Sequence, residues 1–382
     1  MSGELTVSDI KNLPDDSYML IDIRDEYAFA AGHIDGSVNI PQGSLCKAEL
    51  PRDKKLIICC KSGIISRDTA DELCEDSYDA YNLAGGYCDW LRAKLENSLI
   101  AENVEKSIRK KFHKTLLSKF TRAITEYKLI SPDDKIAVCI SGGKDSMLMA
   151  KLFQEIKLHG KFPFELVFLV MDPGYSPENR SIIEKNAEAL GIPVTIFETN
   201  IFESVYNVKN NPCYLCARMR RGHLYNKAKE LGCNKIALGH HFDDVIETIL
   251  MGMIYGGQVQ TMMPKLHSAN FEGMELIRPM YYIREADIKR WRDYNDLHFI
   301  QCACKFTDTC TTCTPTNTGS KRQEIKQLIA EIKKKNPQIE MNIFRSVENV
   351  NLRTIISYKD STGEHSFLDG YDEDKTGGDA QI

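Results

Sequence analysis

The stretch Ser141-Gly142-Gly143-Lys144-Asp145-Ser146 decides the fold of this chain. It stands between the apolar run 136–140, whose pattern predicts a buried strand, and residues 147–156, whose spacing predicts a helix. A glycine-rich turn from strand to helix presents backbone N–H groups and the positive helix end to a phosphate. The glycines can adopt positive φ, the serines add hydroxyl donors and the lysine adds a charge. The stretch predicts a phosphate-binding loop, and an ordinary capped turn is the alternative.

Composition bounds the class of protein. The 382 residues suffice for two or three domains, and the formal net charge of −5 argues against wholesale polyanion binding but not against a local basic face. No apolar run approaches membrane length and no signal peptide opens the chain, so we expect a cytoplasmic protein without a membrane partner. The 13 cysteines cluster at 59–60, 213–216 and 302–313, which favours thiol chemistry or a metal over disulfides.

Alternating strand and helix patterns divide the chain into four parts. Residues 1–98 hold two short buried strands, each followed by a turn and a helix, which predicts a small parallel α/β domain. Residues 99–130 form a basic helical connector. Residues 131–350 alternate strands and helices as in a doubly wound α/β domain, whose ligands bind at the carboxyl ends of the strands. Residues 351–382 form a tail with an acidic, glycine-rich end.

Cys60 begins the loop that joins a predicted strand to a helix. Backbone N–H groups of such a loop favour a thiolate and stabilise a persulfide anion. Residues 4–97 resemble the rhodanese family. The matching segments are Leu20-Ile21-Asp22-Ile23-Arg24, Gly32-His33-Ile34, Asn39-Ile40-Pro41 and Leu83-Ala84-Gly85-Gly86, with Trp90. The resemblance gives Cys60 the sulfur-carrying role. Since Ile64 or Ile65 stands where the family often has arginine, relay from a protein persulfide is expected rather than reaction with a small anion.

Two later segments carry further candidates. Cys213 and Cys216 precede a predicted helix, and such a pair alone fits half of a zinc site, a redox pair or neither. That helix carries three arginines, Arg218, Arg220 and Arg221. Two histidines and two aspartates, His240-His241 and Asp243-Asp244, follow a predicted strand. Alone they suggest a divalent-metal hydrolase, but at the carboxyl end of a strand in a nucleotide-binding fold they stand where ATP and Mg²⁺ are expected.

Together these segments resemble the tRNA 2-thiocytidine synthetase family, whose pyrophosphatase loop (PP loop) splits ATP into AMP and pyrophosphate. The resemblance covers residues 107–350. It rests on the loop 141–146, Cys213-x-x-Cys216-Ala217-Arg218-x-Arg220-Arg221-Gly222, Leu238-Gly239-His240-His241-x-Asp243-Asp244, Ile277-Arg278-Pro279-Met280 and Ile343-Phe344-Arg345-Ser346. It implies that the C2 oxygen of a tRNA cytidine is adenylated and that a sulfur species then displaces AMP.

The resemblance also implies an ATP site. Its residues are Ser141, Gly142, Gly143, Lys144, Asp145, Ser146, His240, Asp243 and Asp244. Carboxylate oxygens suit Mg²⁺, for which Asp145 and either Asp243 or Asp244 are candidates.

A third implication is a [4Fe-4S] cluster on three cysteines, two of which are Cys213 and Cys216. For the third, position favours Cys302 and then Cys304, whereas the spacing to the helix beyond favours Cys310. A structural zinc held by thiols of the segment 302–313 is the competing interpretation.

The sequence therefore predicts a sulfurtransferase in which Cys60 takes sulfur from a persulfide donor such as a cysteine desulfurase, and the PP-loop domain inserts it into tRNA. The basic connector and the three arginines would meet RNA phosphates. The sequence leaves open whether the chain forms a homodimer. One alternative is a PP-loop sulfurtransferase that acts on a free nucleobase or another small metabolite. The other is a zinc-stapled, redox-sensing binding protein, against which Cys60 and the intact loop both argue.

Overall fold

The computed structural model describes residues 2–10, 13–46, 48–160, 162–206, 212–300, 321–369 and 371. Cys302 and its alternatives Cys304 and Cys310 lie outside the described residues, as does the predicted zinc segment. The backbone of Cys213 is described, but its side chain is not.

The N-terminal domain is one five-stranded sheet covered by helices. Its strands are β1 (Gly3–Leu5), β2 (Tyr18–Asp22), β3 (Val38–Asn39), β4 (Lys55–Cys59) and β5 (Ala80–Leu83). Its helices are α1 (Val7–Ile10), α2 (Glu26–Ala31), α3 (Gln42–Leu45), α4 (Ile65–Glu75) and α5 (Gly86–Lys110). The strand order is β1-β5-β4-β2-β3 and all the pairs are parallel.

Burial on both faces explains the apolar run of strand β4. Ile57 and Ile58 are fully buried, and they point to opposite faces because successive strand residues alternate. Ile58 packs with Ile21 on one face, and Ile57 packs with Leu20 on the other. The sheet therefore holds Cys60, the residue after β4, at its carboxyl edge.

The second domain contains a six-stranded sheet. Its strands are β6 (Lys135–Ile140), β7 (Glu165–Asp172), β8 (Val194–Glu198), β9 (Lys235–Ala237), β10 (Lys265–His267) and β11 (Glu275–Ile277). Its helices are α6 (Ser118–Glu126), α7 (Lys144–His159), α8 (Pro177–Ala189), α9 (Ile201–Tyr206), α10 (Pro212–Glu230), α11 (Phe242–Gly256), α12 (Glu285–Tyr294), α13 (Lys321–Lys335) and α14 (Ile339–Ser346). A π-helical turn spans His113–Leu117, and short 3₁₀ turns span Asp15–Ser17 and Leu352–Thr354.

The strand order β10-β11-β9-β6-β7-β8 confirms the predicted doubly wound α/β class. Only the β10–β11 pair at the edge is antiparallel. The order reverses between β6 and β9, and the crevice at the carboxyl ends of these strands is where such sheets bind ligands. The PP loop follows β6 and therefore lies in this crevice.

Helix α5 joins the two domains without a break. It begins beside the Cys60 loop and continues for 25 residues, through residue 99, where the predicted connector begins. Its carboxyl half enters the core of the second domain through the buried Val104 and Ile108. The buried Lys151 of α7 binds this half of the helix, since its Nζ lies 2.8 Å from Glu105 Oε1 and 2.9 Å from the carbonyl oxygen of Leu190.

One sequence-based element prediction was wrong, and one element was not predicted. Cys213 and Cys216 were placed before a helix, but both lie inside its first turns, because α10 already begins at Pro212, a residue that suits the start of a helix. The tail contains a hairpin, β12 (Ser357–Asp360) and β13 (Gly363–Ser366), whose short polar strands gave no alternating apolar signal. Among the described helices, none is both long and apolar enough to cross a membrane.

We expect Glu105→Ala to lower the free energy of unfolding by about 3 kcal/mol, because it leaves the charge of Lys151 buried with one carbonyl partner. Glu102→Ala is the matched control in the same helix. The ion pair of Glu102 with Lys106 is exposed, so its loss should cost less than about 1 kcal/mol. Urea unfolding of the full chain measures both values, and equal losses would contradict the prediction.

Candidate active site

The PP loop is a tight turn that only glycine fits at its second position. Gly142 has φ +82°, and a Cβ there would lie 2.5 Å from Cγ1 of Ile183 in α8. Ser146 closes the turn: its Oγ accepts from the Ser141 N–H at 3.1 Å and donates to the Gly143 carbonyl at 2.9 Å. Helix α7 begins at Lys144. Its first backbone N–H groups therefore have no acceptor within the helix, and they lie at the loop, where a ligand can reach them.

A cavity of about 350 Å³ lies beside this loop. It is lined by Cys139, Ile140, Ser141, Asp145, Ser146, Met171, Tyr175, Arg220, Leu224, Leu238, Gly239, His240 and Asp244. Three buried polar atoms of this lining have no hydrogen-bond partner within the described chain: Asp145 Oδ1, His240 Nδ1 and Arg220 Nε. Since buried polar groups are nearly always paired, these atoms indicate a polar ligand.

His240 is neutral at physiological pH. Burial lowers its pKa to about 4, and the nearby positive charge of Arg278 acts in the same direction. Burial also lowers the pKa of Arg278 to about 10, which leaves that side chain charged. A neutral imidazole beside a fixed guanidinium can hydrogen-bond a ligand without adding a second positive charge.

The two adjacent aspartates have structural partners. Asp244 and His241 form a capping box at the start of α11, with 2.9 Å between the His241 N–H nitrogen and Asp244 Oδ2. Asp243 Oδ2 accepts from the Glu285 N–H at 2.7 Å. His241 lies at the centre of the carboxylates, with ring nitrogens 3.9 Å from Asp145, 3.8 Å from Asp243 and 3.4 Å from Asp244. The sequence interpretation did not select His241 as a site residue.

Lys144 faces a second cavity, of about 550 Å³, on the other side of the loop. Its Nζ lies 3.1 Å from Asp145 and 3.4 Å from Glu285. Glu285 also binds Lys289 at 3.1 Å and Lys326 at 2.9 Å. Burial alone would raise the pKa of Glu285, but the hydrogen bonds and charges of these lysines lower it to about 2. No sequence motif marked Glu285, because two of its three lysine partners, Lys144 and Lys326, come from distant parts of the chain.

Cys60 is buried in a loop that stabilises its thiolate. Gly63 N–H donates to Cys60 Sγ at 3.1 Å, and Ser66 Oγ lies 3.2 Å from the sulfur and 2.7 Å from Asn82 Oδ1. Burial by itself would raise the pKa of the thiol. The hydrogen bonds from the Ser66 side chain and from the backbone at Ser66, Ser62 and Gly63 outweigh burial and lower it.

The neighbouring Cys59 has the opposite chemistry. It ends strand β4 inside the core, and burial raises its pKa to about 12, with the charge of Asp22 acting in the same direction. Of these two adjacent thiols, only Cys60 is chemically suited to carry sulfur. The loop rim is apolar, with Ile64 and Ile65 exposed.

Cys216 lies close to the cavity beside the PP loop. It is partly buried against the small cluster of Met171 and Ile201, and Met171 lines the cavity. Arg220, which also lines the cavity, follows Cys216 by one turn of α10. Cys213 precedes Cys216 by three residues in the same helix, so the two positions share one face. Among the described residues, no group of three metal-ligating side chains is present.

The structure thus brings the PP loop, His240 and Asp244 to one cavity, with Asp243 just outside its lining and Cys216 in the wall behind it. Cys60 lies in the other domain. Sequence reasoning did not select Ser66, which contacts the Cys60 sulfur from the first turn of α4, and its closeness to Cys60 in sequence was the available signal.

Comparison with known proteins identifies two families of domain in the chain. A rhodanese-like domain model matches residues 6–93, and a PP-loop domain model matches residues 109–306. The tRNA-cytidine(32) 2-sulfurtransferase of Anaeromyxobacter sp. is 32% identical over 279 residues, which are 70% of this chain and 88% of the relative. The protein of the same name from Coxiella burnetii is 33% identical over 244 residues, 63% of this chain and 91% of the relative.

One similar solved structure is the U34-tRNA thiolase NcsA from Methanococcus maripaludis with its [4Fe-4S] cluster. The two sequences are 22% identical, and the matched region covers 70% of this chain and 83% of the NcsA chain. Its TM-score is 0.46, and at this level the likeness does not bear on function.

The chain is a PP-loop enzyme joined to a rhodanese-like domain. It belongs to the tRNA-cytidine 2-sulfurtransferase family and is a sulfurtransferase.

We expect Ser66→Ala to raise the pKa of Cys60, because it removes the hydroxyl donor to the thiolate. The alkylation rate of Cys60 by iodoacetamide, followed by mass spectrometry of its peptide, should then rise at higher pH than in the wild type. Ser62→Ala is the control: Ser62 acts through its backbone N–H, which alanine keeps. An unchanged profile for Ser66→Ala, or an equal shift for Ser62→Ala, would refute this assignment.

Proposed function

We propose that this enzyme inserts sulfur at C2 of a tRNA cytidine in the cytoplasm, at the expense of ATP, and that Cys60 carries the sulfur as a persulfide. The observation that carries the proposal is the cavity beside the PP loop, in which Asp145, His240 and Arg220 present unpartnered buried polar atoms. The names of the relatives supply the substrate class.

The PP loop would hold the phosphates of ATP through its backbone N–H groups and the start of α7. The base oxygen attacks the α-phosphorus, an O–P bond forms, and pyrophosphate leaves with the bridging oxygen. Arg220 is placed to bind the phosphate charge, and neutral His240 is placed to hydrogen-bond the ligand. Asp145, whose Oδ1 accepts no hydrogen bond, is the aspartate best suited to Mg²⁺, whereas Asp243 and Asp244 cap and anchor α11.

The sulfur half-reaction belongs to the N-terminal domain. The hydrogen bonds that stabilise the Cys60 thiolate would equally stabilise the terminal sulfur of a persulfide. The exposed Ile64 and Ile65 at the rim suit a protein donor better than a small anion, because they offer apolar area and no charge. A persulfide protein such as a cysteine desulfurase is therefore the proposed donor.

An iron–sulfur cluster fits the thiols beside the cavity. The positions of Cys213 and Cys216 share one face of α10, and Cys216 packs against the cluster of Met171 and Ile201, of which Met171 lines the cavity. With Cys302 as the proposed third ligand, Cys213 and Cys216 would hold a [4Fe-4S] cluster next to the bound nucleotide. When bound, the cluster supplies an open iron site at which sulfur can be delivered to the activated carbon.

Recognition of tRNA would use basic side chains around the domain junction. Exposed examples on α5 and the turn after it are Lys106, Arg109, Lys110, Lys111 and Lys114. Arg218 is exposed on α10, two residues beyond Cys216 and within two of Arg220 at the cavity. Phosphate contacts of this kind position the RNA without reading its sequence.

The wild-type enzyme should convert ATP to AMP and pyrophosphate only when tRNA and Mg²⁺ are present, since an oxygen must be adenylated. Asp145→Ala should lose AMP formation yet still accept sulfur on Cys60. Cys60→Ser should lose persulfide-dependent thiolation yet still form AMP when sulfide is supplied. Nucleotide chromatography and nucleoside mass spectrometry measure both half-reactions. ADP as the product, or AMP formation stimulated by a small metabolite without tRNA, would favour the metabolite alternative.

Anaerobically purified protein should contain about four irons per chain, the content of one cubane cluster. Cys216→Ala should lose the iron and its visible absorbance, whereas Cys88→Ala, an exposed cysteine of α5, should keep both. Iron analysis and absorption spectroscopy provide the readout. Stoichiometric zinc without iron in an active enzyme would favour the structural zinc instead.

A further inference from the structure

A second cavity, of about 550 Å³, lies on the other side of the PP loop from the first one. Its loop residues are Gly143, Lys144 and Asp145, and Asp145 lines the first cavity as well. The rest of its lining comes from helix α12 and from residues 297–300, which follow that helix. An enzyme that adenylates an acceptor must hold the acceptor beside its ATP. A cavity that shares the PP loop with the first one is therefore a candidate site for the second substrate.

The lining of the second cavity suits a flat ligand with polar edges better than a polyanion. Among its lysine, arginine and acidic side chains, three are cationic and four are anionic, so the charges nearly cancel. A second triphosphate would need an excess of cations and N–H donors. The apolar part of the lining is Leu297, Phe299 and Ile300, and the Phe299 ring lies nearly parallel to that of the buried Trp291. A nucleobase has the matching chemistry, because its faces stack on apolar groups and its edge carries hydrogen-bond donors and acceptors.

Asp296 is a side chain of this lining that its local structure does not require. Helix α12 ends in a Schellman motif, in which the Leu297 N–H donates to the Arg292 carbonyl at 3.0 Å and the Asp296 N–H to the Asp293 carbonyl at 3.3 Å. Asp296 takes the left-handed position of this motif, with φ +51°, where glycine is usual and less strained. Asp293 is paired with Arg292, but within the described chain the Asp296 carboxylate has neither a hydrogen bond nor an ion pair. It is therefore available to accept from a ligand in the cavity.

We infer that the second cavity binds the tRNA base that is to be thiolated, flipped out of its loop, and that Asp296 accepts a hydrogen bond from the exocyclic amine of that base. Cytosine carries an amine at C4, whereas uracil carries an oxygen there, which a carboxylate repels. Lys289 lines the same cavity and can donate to N3, which accepts in cytosine but bears a hydrogen in uracil. An acidic acceptor and a cationic donor together fit the edge of cytosine and not that of uracil. This inference rests on the proposed function.

The surroundings of the cavity favour a base that belongs to RNA over a free nucleoside. Lys289 and Arg292 are partly exposed where they line it. The last turn of α12 meets further cations, because Lys111 Nζ lies 3.5 Å from the ring centroid of Tyr294, and Lys114 is exposed on the same turn as Lys111. A flipped nucleotide carries its own phosphate and those of its neighbours to the rim of the pocket, where such cations can hold them. A free nucleoside has no phosphate to place there.

The first test uses two tRNA transcripts that differ only at the thiolated cytidine, which is uridine in the second. Pyrophosphate release is measured, since adenylation needs no sulfur. The wild type should prefer the cytidine transcript. Asp296→Asn should lower the rate on it by about tenfold to hundredfold, the usual discrimination of one good base contact, and should narrow the preference, because an amide can donate to the uracil oxygen. Its affinity for ATP, which occupies the first cavity, should not change.

Asp133→Asn is the matched control for this test. Asp133 is also an exposed aspartate with positive φ, +63°, but it does not line the cavity, so the variant should keep the wild-type rate and preference. Wild-type rate and preference in Asp296→Asn would overturn the inference. Pyrophosphate release with free cytidine in place of tRNA would overturn the assignment of the pocket to RNA.

The second test detects the flipped base without any chemistry, through 2-aminopurine placed beside the target cytidine, whose fluorescence rises when its neighbour unstacks. Wild-type enzyme should produce this rise on binding the tRNA. Leu297→Trp, which fills the apolar part of the cavity, should abolish the rise at saturating enzyme yet keep the wild-type affinity for ATP. Leu158→Trp, at an exposed leucine of α7 outside both cavities, should keep the rise. A full rise with Leu297→Trp would overturn the inference.

The inference and the proposed function fail in different ways. If the wild-type enzyme forms no thiolated cytidine in tRNA, the proposed function fails. If the wild type thiolates cytidine while Asp296→Asn and Leu297→Trp both behave like it, only the assignment of the second cavity fails.

Discussion

The contact of Gly142 with Ile183 is the constraint on which the rest of the structure depends. A loop that wraps phosphate must turn sharply after its strand, and here the turn is so close to helix α8 that no Cβ fits. That closeness fixes α8 against the PP loop. The opposite face of α8 then supports helix α5 and the N-terminal domain. The position of the PP loop and the position of the rhodanese-like domain are therefore set by the two faces of one helix.

Around the PP loop, charged side chains are paired with opposite charges, and a buried histidine is kept neutral. Lys144, which would meet phosphate, is held by the carboxylates of Glu285 and Asp145 in the free protein. His240, in contrast, is kept neutral by burial and by Arg278. The site can therefore accept a highly charged nucleotide by exchanging partners rather than by burying uncompensated charge. At Cys60 the same balance favours the anion, because hydrogen bonds outweigh burial.

Local patterns predicted the class of fold well, because they reflect local physics. The apolar run of β6, the glycine turn after it and the helix that follows need only their own residues to be recognised, and the sheets are those expected. The hairpin near the carboxyl end was missed because its strands, Ser357–Asp360 and Gly363–Ser366, are short and polar. The early start of α10 was missed because no apolar periodicity marks its first turn.

The sequence by itself determined which chemical groups this protein offers. The phosphate loop, the thiol at Cys60 and the cysteine pair can each be recognised from the residues next to them in sequence. Only the tertiary structure decided how these parts are arranged. Glu285 gathers lysines from distant parts of the chain, and His241 lies at the centre of three carboxylates. The unbroken helix α5 joins the Cys60 loop to the core of the PP-loop domain. Such relations follow from packing between residues far apart in sequence, which no local spacing records.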